Sequence, residues 1–199
     1  MKRILLVRHG ESEWNAIRRL QGQADITLSE RGREQASILA PMVESFKPGL
    51  VLTSDLRRAV DTATLLGHAN AVREPLLREQ DVGVWTGMEI AHLIAVAPGA
   101  YAGWRAGTFA PENSEVWADF RDRVGQAIER ARAADAETVL MVCHGGVIRA
   151  ALDGTLGLAP ARIIPVGPAS LTILAFPKGE ARLEVFNATT FAPVIDAPD

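Results

Sequence analysis

Four apolar residues, Ile4-Leu5-Leu6-Val7, run without interruption almost from the first residue and stop at Arg8-His9-Gly10-Glu11. A run of that length with no polar side chain on either face reads as a strand buried on both sides, the kind found inside a parallel sheet covered by helices. A second run, Thr138-Val139-Leu140-Met141-Val142, stops at Cys143-His144-Gly145-Gly146. Each strand therefore ends in a histidine followed by glycine. In an open α/β sheet the carboxyl ends of the strands are where ligands bind. For the first tetrapeptide alone, a strand that simply ends in solvent is the competing reading.

Between these runs the chain alternates. Ser29 reads as the N-cap of a helix over about 29–45, with apolar Ala36, Leu39, Ala40 and Val43 at helical spacing. Leu50-Val51-Leu52 is a short strand ending in Thr53-Ser54-Asp55, and the pattern from Leu56 to about Leu66 is helical. A weak strand follows at Ala71-Val72-Arg73. The segment 80–114, rich in glycine, proline and tryptophan, reads as loops with a helical piece around 88–96, and so as a cap or lid. A long amphipathic pattern covers 115–133, and a helix is expected from Val147 to Leu156, just after the glycine pair. Strands at about 170–176 and 182–187 flank the turn signal Pro177-Lys178-Gly179. The fold class predicted is α/β: a mainly parallel sheet with helices on both faces and an antiparallel edge, as one domain over 1–199.

Composition narrows the partners. With 21 basic and 24 acidic side chains the formal charge is −3, which supplies no general field for nucleic acid or an anionic membrane. One cysteine leaves no intramolecular disulfide and no thiolate cluster for zinc, so a reducing, cytoplasmic location is expected. No apolar stretch reaches the roughly 18 residues a membrane span needs, and the first residues are too soon interrupted by charge for a signal peptide. The four histidines, His9, His68, His92 and His144, have no ligand-pair spacing, so no metal or cofactor is expected.

In a parallel sheet the three strand ends share one edge. Arg8 and His9, Ser54 with Arg57 and Arg58, and His144-Gly145-Gly146 would then converge. Arginine forks and a glycine-rich helix start suit the oxygens of a phosphoryl group. A neutral imidazole can take that group onto nitrogen, and a second histidine can hydrogen-bond the oxygens in transfer. The leaving oxygen needs a proton, for which Glu79, beside the cap, is the candidate; a solvated surface acid is its other reading.

The chain resembles the histidine phosphatase superfamily, the phosphoglycerate mutase-like enzymes, in five blocks that follow in order along most of its length. They are Arg8-His9-Gly10-Glu11 with Asn15; Leu20-Gln21-Gly22 through Asp25, Leu28, Gly32 and Gln35-Ala36; Thr53 to Ala59 with Thr62-Ala63; Leu77-Arg78-Glu79 through Gly83, Trp85 and Gly87; and His144-Gly145-Gly146 with Arg149. The resemblance implies a three-layer α/β/α sandwich, a nucleophilic His9 and a proton donor in Glu79, with Arg8, Arg58 and His144 completing the catalytic set. It implies phosphate or substrate binding by Arg8, Asn15, Gln21, Gly22, Arg58, Glu79, His144 and Gly145. It implies a small phosphorylated metabolite as substrate and, because related enzymes are often dimers, a homodimer.

The departures lie on the substrate side. Thr27 stands where many relatives have proline, and Val116 follows Glu115 where a small polar residue is usual. The short stretch between Gly83 and Ser114 favours a phosphatase over the cofactor-dependent mutases, which carry a longer insertion there. Trp85, Trp104, Trp117 and Phe109 could form a stacking wall for a substrate ring or simply pack. Two other readings compete. Cys143 and Arg149, with five residues between them, have the spacing of a cysteine phosphatase loop, although Val142 and Ala150 do not fit its flanks. A phosphate-binding domain without catalysis is the last.

Overall fold

The computed structural model describes residues 1–190, so the expected single unit over 1–199 extends beyond the described residues at 191–199. Strands β1 (Lys2–Arg8), β2 (Leu50–Thr53), β3 (Val72–Arg73) and β4 (Thr138–Cys143) run parallel. β5 (Leu171–Phe176) pairs antiparallel with β1, and β6 (Arg182–Ala188) pairs antiparallel with β5. The order across the sheet is β3-β2-β4-β1-β5-β6. The two buried runs are therefore the central pair, and the hairpin forms the antiparallel edge.

Alternation along the central strands divides the core in two. Ile4, Leu6, Val139 and Met141 face one way, toward Phe120, Val124 and Ile128 of α6 (Trp117–Ala133) and Val147, Ile148 and Ala151 of α7 (Gly145–Leu156). Leu5, Val7, Leu140 and Val142 face the other way, toward Leu39 and Val43 of α2 (Glu30–Glu44) and Ala59 and Ala63 of α3 (Arg57–Leu65). With apolar partners on both sides, these strands tolerate no polar position, which is why they read as continuous apolar runs.

Ser29 caps α2 by accepting from Gly32 N at 3.0 Å. Glycine is required at that point: a Cβ on Gly32 would stand 1.9 Å from Glu11 O, and one on Gly10 would stand 2.2 Å from Gly32 O. Gly10 therefore serves the packing of the β1 exit against α2.

The segment over 80–114 holds more helix than its composition predicts. α4 (Ile90–Val96) matches the expected piece, but α5 (Pro98–Arg105) follows at once, and α1 (Glu13–Ala16) is likewise absent from the sequence reading. A third apolar cluster joins these parts: Leu20, Val82, Trp85, Ile90, Leu93 and Trp104. Backbone bonds from Leu20 N to Met88 O and from Gly87 N to Leu20 O tie the 80–114 segment to the loop after β1. The other correction is at α7, which begins at Gly145 and not after the glycines.

Candidate active site

Register brings the site together. Arg8 stands opposite Cys143 in the β1–β4 ladder. Beyond that rung, His9 N donates to Cys143 O at 3.0 Å and Ser54 N to Val142 O at 2.9 Å. His9, Ser54 and His144 thus leave three adjacent strands side by side. The two imidazole centroids are 5.1 Å apart at an interplanar angle of 63°.

Their hydrogen bonds define the tautomers. His9 Nδ1 lies 2.6 Å from Gly10 O, a group that can only accept, so the proton is on Nδ1 and the Nε2 lone pair is exposed to the site. Arg58 Nε–H is shared between His9 Nε2 at 3.3 Å and His144 Nδ1 at 3.2 Å. The His144 proton is then on Nε2, donated to Ser54 Oγ at 2.9 Å. Arg58 donates its remaining nitrogens to Ala24 O at 2.7 Å and Gly22 O at 2.9 Å. Gly22 sits at φ +50 with Val82 Cγ2 only 2.8 Å from where a Cβ would be, so the loop that wraps Arg58 needs glycine there. Arg8 is anchored by donation from Nη1 to Val166 O.

Arg8, His9, Arg58 and His144 are each at most 2 % exposed, a concentration of buried cationic and imidazole groups that favours neutral rings. Burial, then the charges of Arg58 and Arg8, holds the His9 imidazole well below its ordinary range. His144 is lowered for the same reasons, with His9 and Arg123 adding to Arg58 and Arg8. Burial brings Arg58 down to about 10, so it still carries its charge at neutral pH. Two neutral imidazoles between two guanidinium groups make a site that favours a dianion.

Glu79 projects over this group from the chain after a 3-10 turn at Pro75–Leu77. Its Oε2 accepts from Gly146 N at 3.0 Å and its Oε1 from Gln80 N at 2.8 Å. A Cβ on Gly146 would come within 2.1 Å of Oε1, which explains the second glycine of the pair inside α7. His144 is the N-cap of α7 and makes no side-chain cap bond. Its ring turns toward the site instead.

The cavity at this edge is lined by Arg8, His9, Gln21, Gly22, Arg58, Glu79 and Gly145 of the expected residues, and by Leu20, Gln80, Val82, Trp104, Gly146 and Arg149. His144 joins them through Arg58. Asn15 stands outside the lining: its Oδ1 accepts from Ser12 N at 3.1 Å, and Ser12 Oγ lies 2.7 Å from Gln21 Oε1. Asn15 thus reaches the cavity through Ser12 and Gln21. Arg57 points away, 3.9 Å from Asp61, while its backbone N–H is capped by Asp25 at 2.7 Å.

Two expectations are corrected. Of the four aromatic residues considered for a stacking wall, only Trp104 lines the cavity, and its Nε1 donates to Gln80 Oε1 at 3.1 Å. Trp85 packs edge-on to Trp104 and stacks on Phe109, while Trp117 Nε1 donates to Asp153 at 2.9 Å. The cysteine reading also fails. Cys143 is fully buried, and burial together with the Glu79 charge pushes its thiol well above the ordinary range, so no thiolate is offered to a ligand.

Sequence reasoning placed Ser54 and Asp55 at this edge but not their partners, His144 Nε2 for Ser54 and Arg78 at 2.6 and 2.8 Å for Asp55, and it missed Arg123 beneath Glu79. A signal for the last existed. Arg123 follows Phe120 by three positions, on the flank of the buried face of α6.

Residues 4–189 match the family model of the histidine phosphatase superfamily (branch 1). A glucosyl-3-phosphoglycerate phosphatase of Mycobacterium tuberculosis is 37% identical, covering 94% of this chain and 95% of its own. A metal-independent phosphoserine phosphatase of Arabidopsis thaliana is 35% identical over 74% of this chain and 66% of its own. The solved structure of a mycobacterial glucosyl-3-phosphoglycerate phosphatase with VO3 superposes with a TM-score of 0.86 at 37% identity, covering 95% of this chain and 100% of that one.

Proposed function

The chain belongs to the histidine phosphatase superfamily and is a metal-independent phosphomonoesterase, and from that premise we propose that it works through a phosphohistidine at His9. His9 Nε2 attacks phosphorus, and the P–O bond to the alcohol breaks as the P–N bond forms. Arg8, Arg58, His144 and the N-terminus of α7 take up the charge on the three oxygens in transfer. Glu79 in its acid form protonates the departing alkoxide. As carboxylate, it then removes a proton from the water that attacks the phosphohistidine, which releases phosphate and restores both groups.

The observation that carries this reading is the state of His9: a buried, neutral ring whose Nδ1 is committed to Gly10 O and whose other nitrogen faces Arg58. A dianion bound between Arg8 and Arg58 draws His144 toward its protonated form, so that Nδ1 becomes a donor to a phosphoryl oxygen. The reading is tested by quenching a turnover of labelled substrate. A label on the protein that survives alkali, is lost in acid and is absent from His9→Ala supports it. Unlabelled protein under full turnover overturns it.

For the substrate we propose a small phosphomonoester that also carries a carboxylate, of the glucosyl-3-phosphoglycerate, phosphoglycerate or phosphoserine kind. The names of the relatives share that chemistry, and Arg149 puts a further cation on the wall formed by Leu20, Gln80, Val82 and Trp104. The 80–114 segment, as the source of most of that wall, is proposed as the cap that selects the leaving group. Phosphate release with EDTA present, from glucosyl-3-phosphoglycerate, 3-phosphoglycerate, phosphoserine and α-ribazole phosphate, ranks the substrates. A preference for the carboxylate-free ester would overturn the substrate proposal, and 2-phosphoglycerate without phosphate release would mark a mutase.

A cytoplasmic homodimer with no nucleic-acid partner completes the proposal. The acidic balance and single thiol support the compartment and the lack of nucleic acid, and family resemblance supports the dimer. Light scattering on the purified chain tests the dimer. No helix among the described residues is long and apolar enough to cross a membrane.

A further inference from the structure

We propose that Arg123, paired with Glu115, is a positioning residue for proton transfer to the leaving group. The inference rests on the reading of Glu79 as the acid. Glu79 sits on irregular chain between a 3-10 turn and the 80–114 segment, where no sheet or helix ladder fixes its backbone. Apart from its own side-chain bonds, Glu79 has Gln23 Nε2 donating to its carbonyl at 3.2 Å, a long bond from a flexible side chain, and a displacement of about 1 Å is enough to cost a large part of the rate.

Arg123 supplies the missing rigidity from α6. Its Nη1 donates to Leu76 O and to Arg78 O, both at 2.8 Å, and its Nη2 donates to Glu79 O at 3.0 Å. One guanidinium therefore holds three carbonyls across the four residues that lead to the acid. Its orientation is set from the far side, where Nε and Nη2 make a two-pronged pair with Glu115 at 2.7 and 2.8 Å. Its flat face lies 4.7 Å from the centroid of Phe120. Glu115 is fixed in turn: its carbonyl accepts from Gln80 Nε2 at 2.9 Å and its N–H donates to Asp81 O at 3.0 Å.

Both members of the pair are less than one fifth exposed, so solvent competes little for these bonds. The clamp grips the backbone on both sides of the Glu79 side chain, from positions 76 to 81. Lysine cannot replace it, because a single ammonium has no planar fork with which to reach three carbonyls and both carboxylate oxygens.

A clamp that serves only the fold would affect every substrate alike. One that aims the acid matters most where the leaving group most needs a proton. Phenyl phosphate and p-nitrophenyl phosphate have nearly the same shape, but phenoxide is the poorer leaving group. We therefore expect Arg123→Lys to lower kcat/KM for phenyl phosphate at least about tenfold more than for p-nitrophenyl phosphate, within the 10²–10⁴ span of general acid catalysis. Glu79→Gln should show the same bias more strongly, and the double variant should be no worse than Glu79→Gln alone.

Equal losses on both esters, or losses that multiply in the double variant, would reject the positioning role while leaving Glu79 as the acid. Equal losses on both esters in Glu79→Gln itself would instead remove Glu79 from the proton step, and the positioning role with it. Should Arg123→Lys lack a cooperative melt, Glu115→Gln reads the same property. It keeps the size of the side chain and weakens the pair, and a bias of about threefold in the same direction is expected, with no bias rejecting the proposal.

Discussion

Gly146 and Glu79 are fitted to each other: the glycine N–H donates to one carboxylate oxygen at 3.0 Å, and the missing side chain leaves room for the other. Gly146→Ala places a methyl group on Oε1, the far end of a side chain that can swing away. The fold should survive, since alanine is the better helix former by up to about 1 kcal/mol. Activity should not survive unchanged. A thermal melt within a few degrees of the parent, with kcat/KM down about tenfold or more, is the expected pair of results. An unchanged rate would separate Glu79 from the reaction.

Ser54→Ala removes the acceptor for His144 Nε2–H and for Leu56 N in a fully buried position. Leaving those donors unsatisfied costs about 1–3 kcal/mol, or roughly 3–10 °C in Tm for a chain of this size. The freed imidazole also loses its preferred tautomer. Nitrogen-15 chemical shifts of the ring should move toward a mixture of tautomers, with a fall in turnover. A ring signal identical to the parent's would show that Ser54 does not set the His144 tautomer.

His9 and His144 of the candidate site are both lowered from the ordinary imidazole value by burial and the neighbouring arginines, which makes stability depend on pH with a definite sign. Below about 6.5 the unfolded chain binds protons that the native rings refuse. Stability is therefore complete above that value and falls as pH drops toward the folded pKa values, by up to about 1.4 kcal/mol per pH unit for each ring. Urea midpoints measured from pH 7.5 to 5 should decline along this limb. The slope should flatten in His9→Ala and His144→Ala. A midpoint that rises toward pH 5 in the parent would contradict the burial of neutral rings.

Cys143→Ala tests the thiol directly. The residue fills a core position at the end of β4, so its loss costs packing, while burial and the Glu79 charge push its thiol up and away from the thiolate a nucleophile needs. Turnover within about threefold of the parent is expected, together with a Tm lower by a few degrees from the cavity created. Loss of all activity in a folded variant would revive the thiolate mechanism.

The parts of the molecule that were readable in advance are those where one physical rule dominates. Two-sided burial marks β1 and β4 as apolar runs, and the same runs place His9 and His144 at one edge. Spacing of three and four gives α2 and α6 nearly to the residue. Where two rules compete, the pattern misleads. Gly99 and Gly103 argue against the helix they occupy, which Pro98 starts and Trp104 holds in the third apolar cluster. Gly145 and Gly146 suggest a helix that waits until Val147, whereas the helix includes both, and Gly146 is glycine because a Cβ there would meet Glu79. The clamp at Arg123 was harder to foresee, because nothing in its sequence distance from Glu79 suggests that a guanidinium reaches backbone carbonyls there.

The third apolar cluster, separate from the two that flank the sheet, has a practical meaning for anyone wishing to redirect the enzyme. Leu20, Val82 and Trp104 face the cavity from a small core of their own, while Arg8, His9, Arg58 and His144 are seated on the sheet. On the proposed role of the cap, libraries that vary Leu20 and Trp104 are expected to trade one leaving group for another while the residues seated on the sheet stay in place.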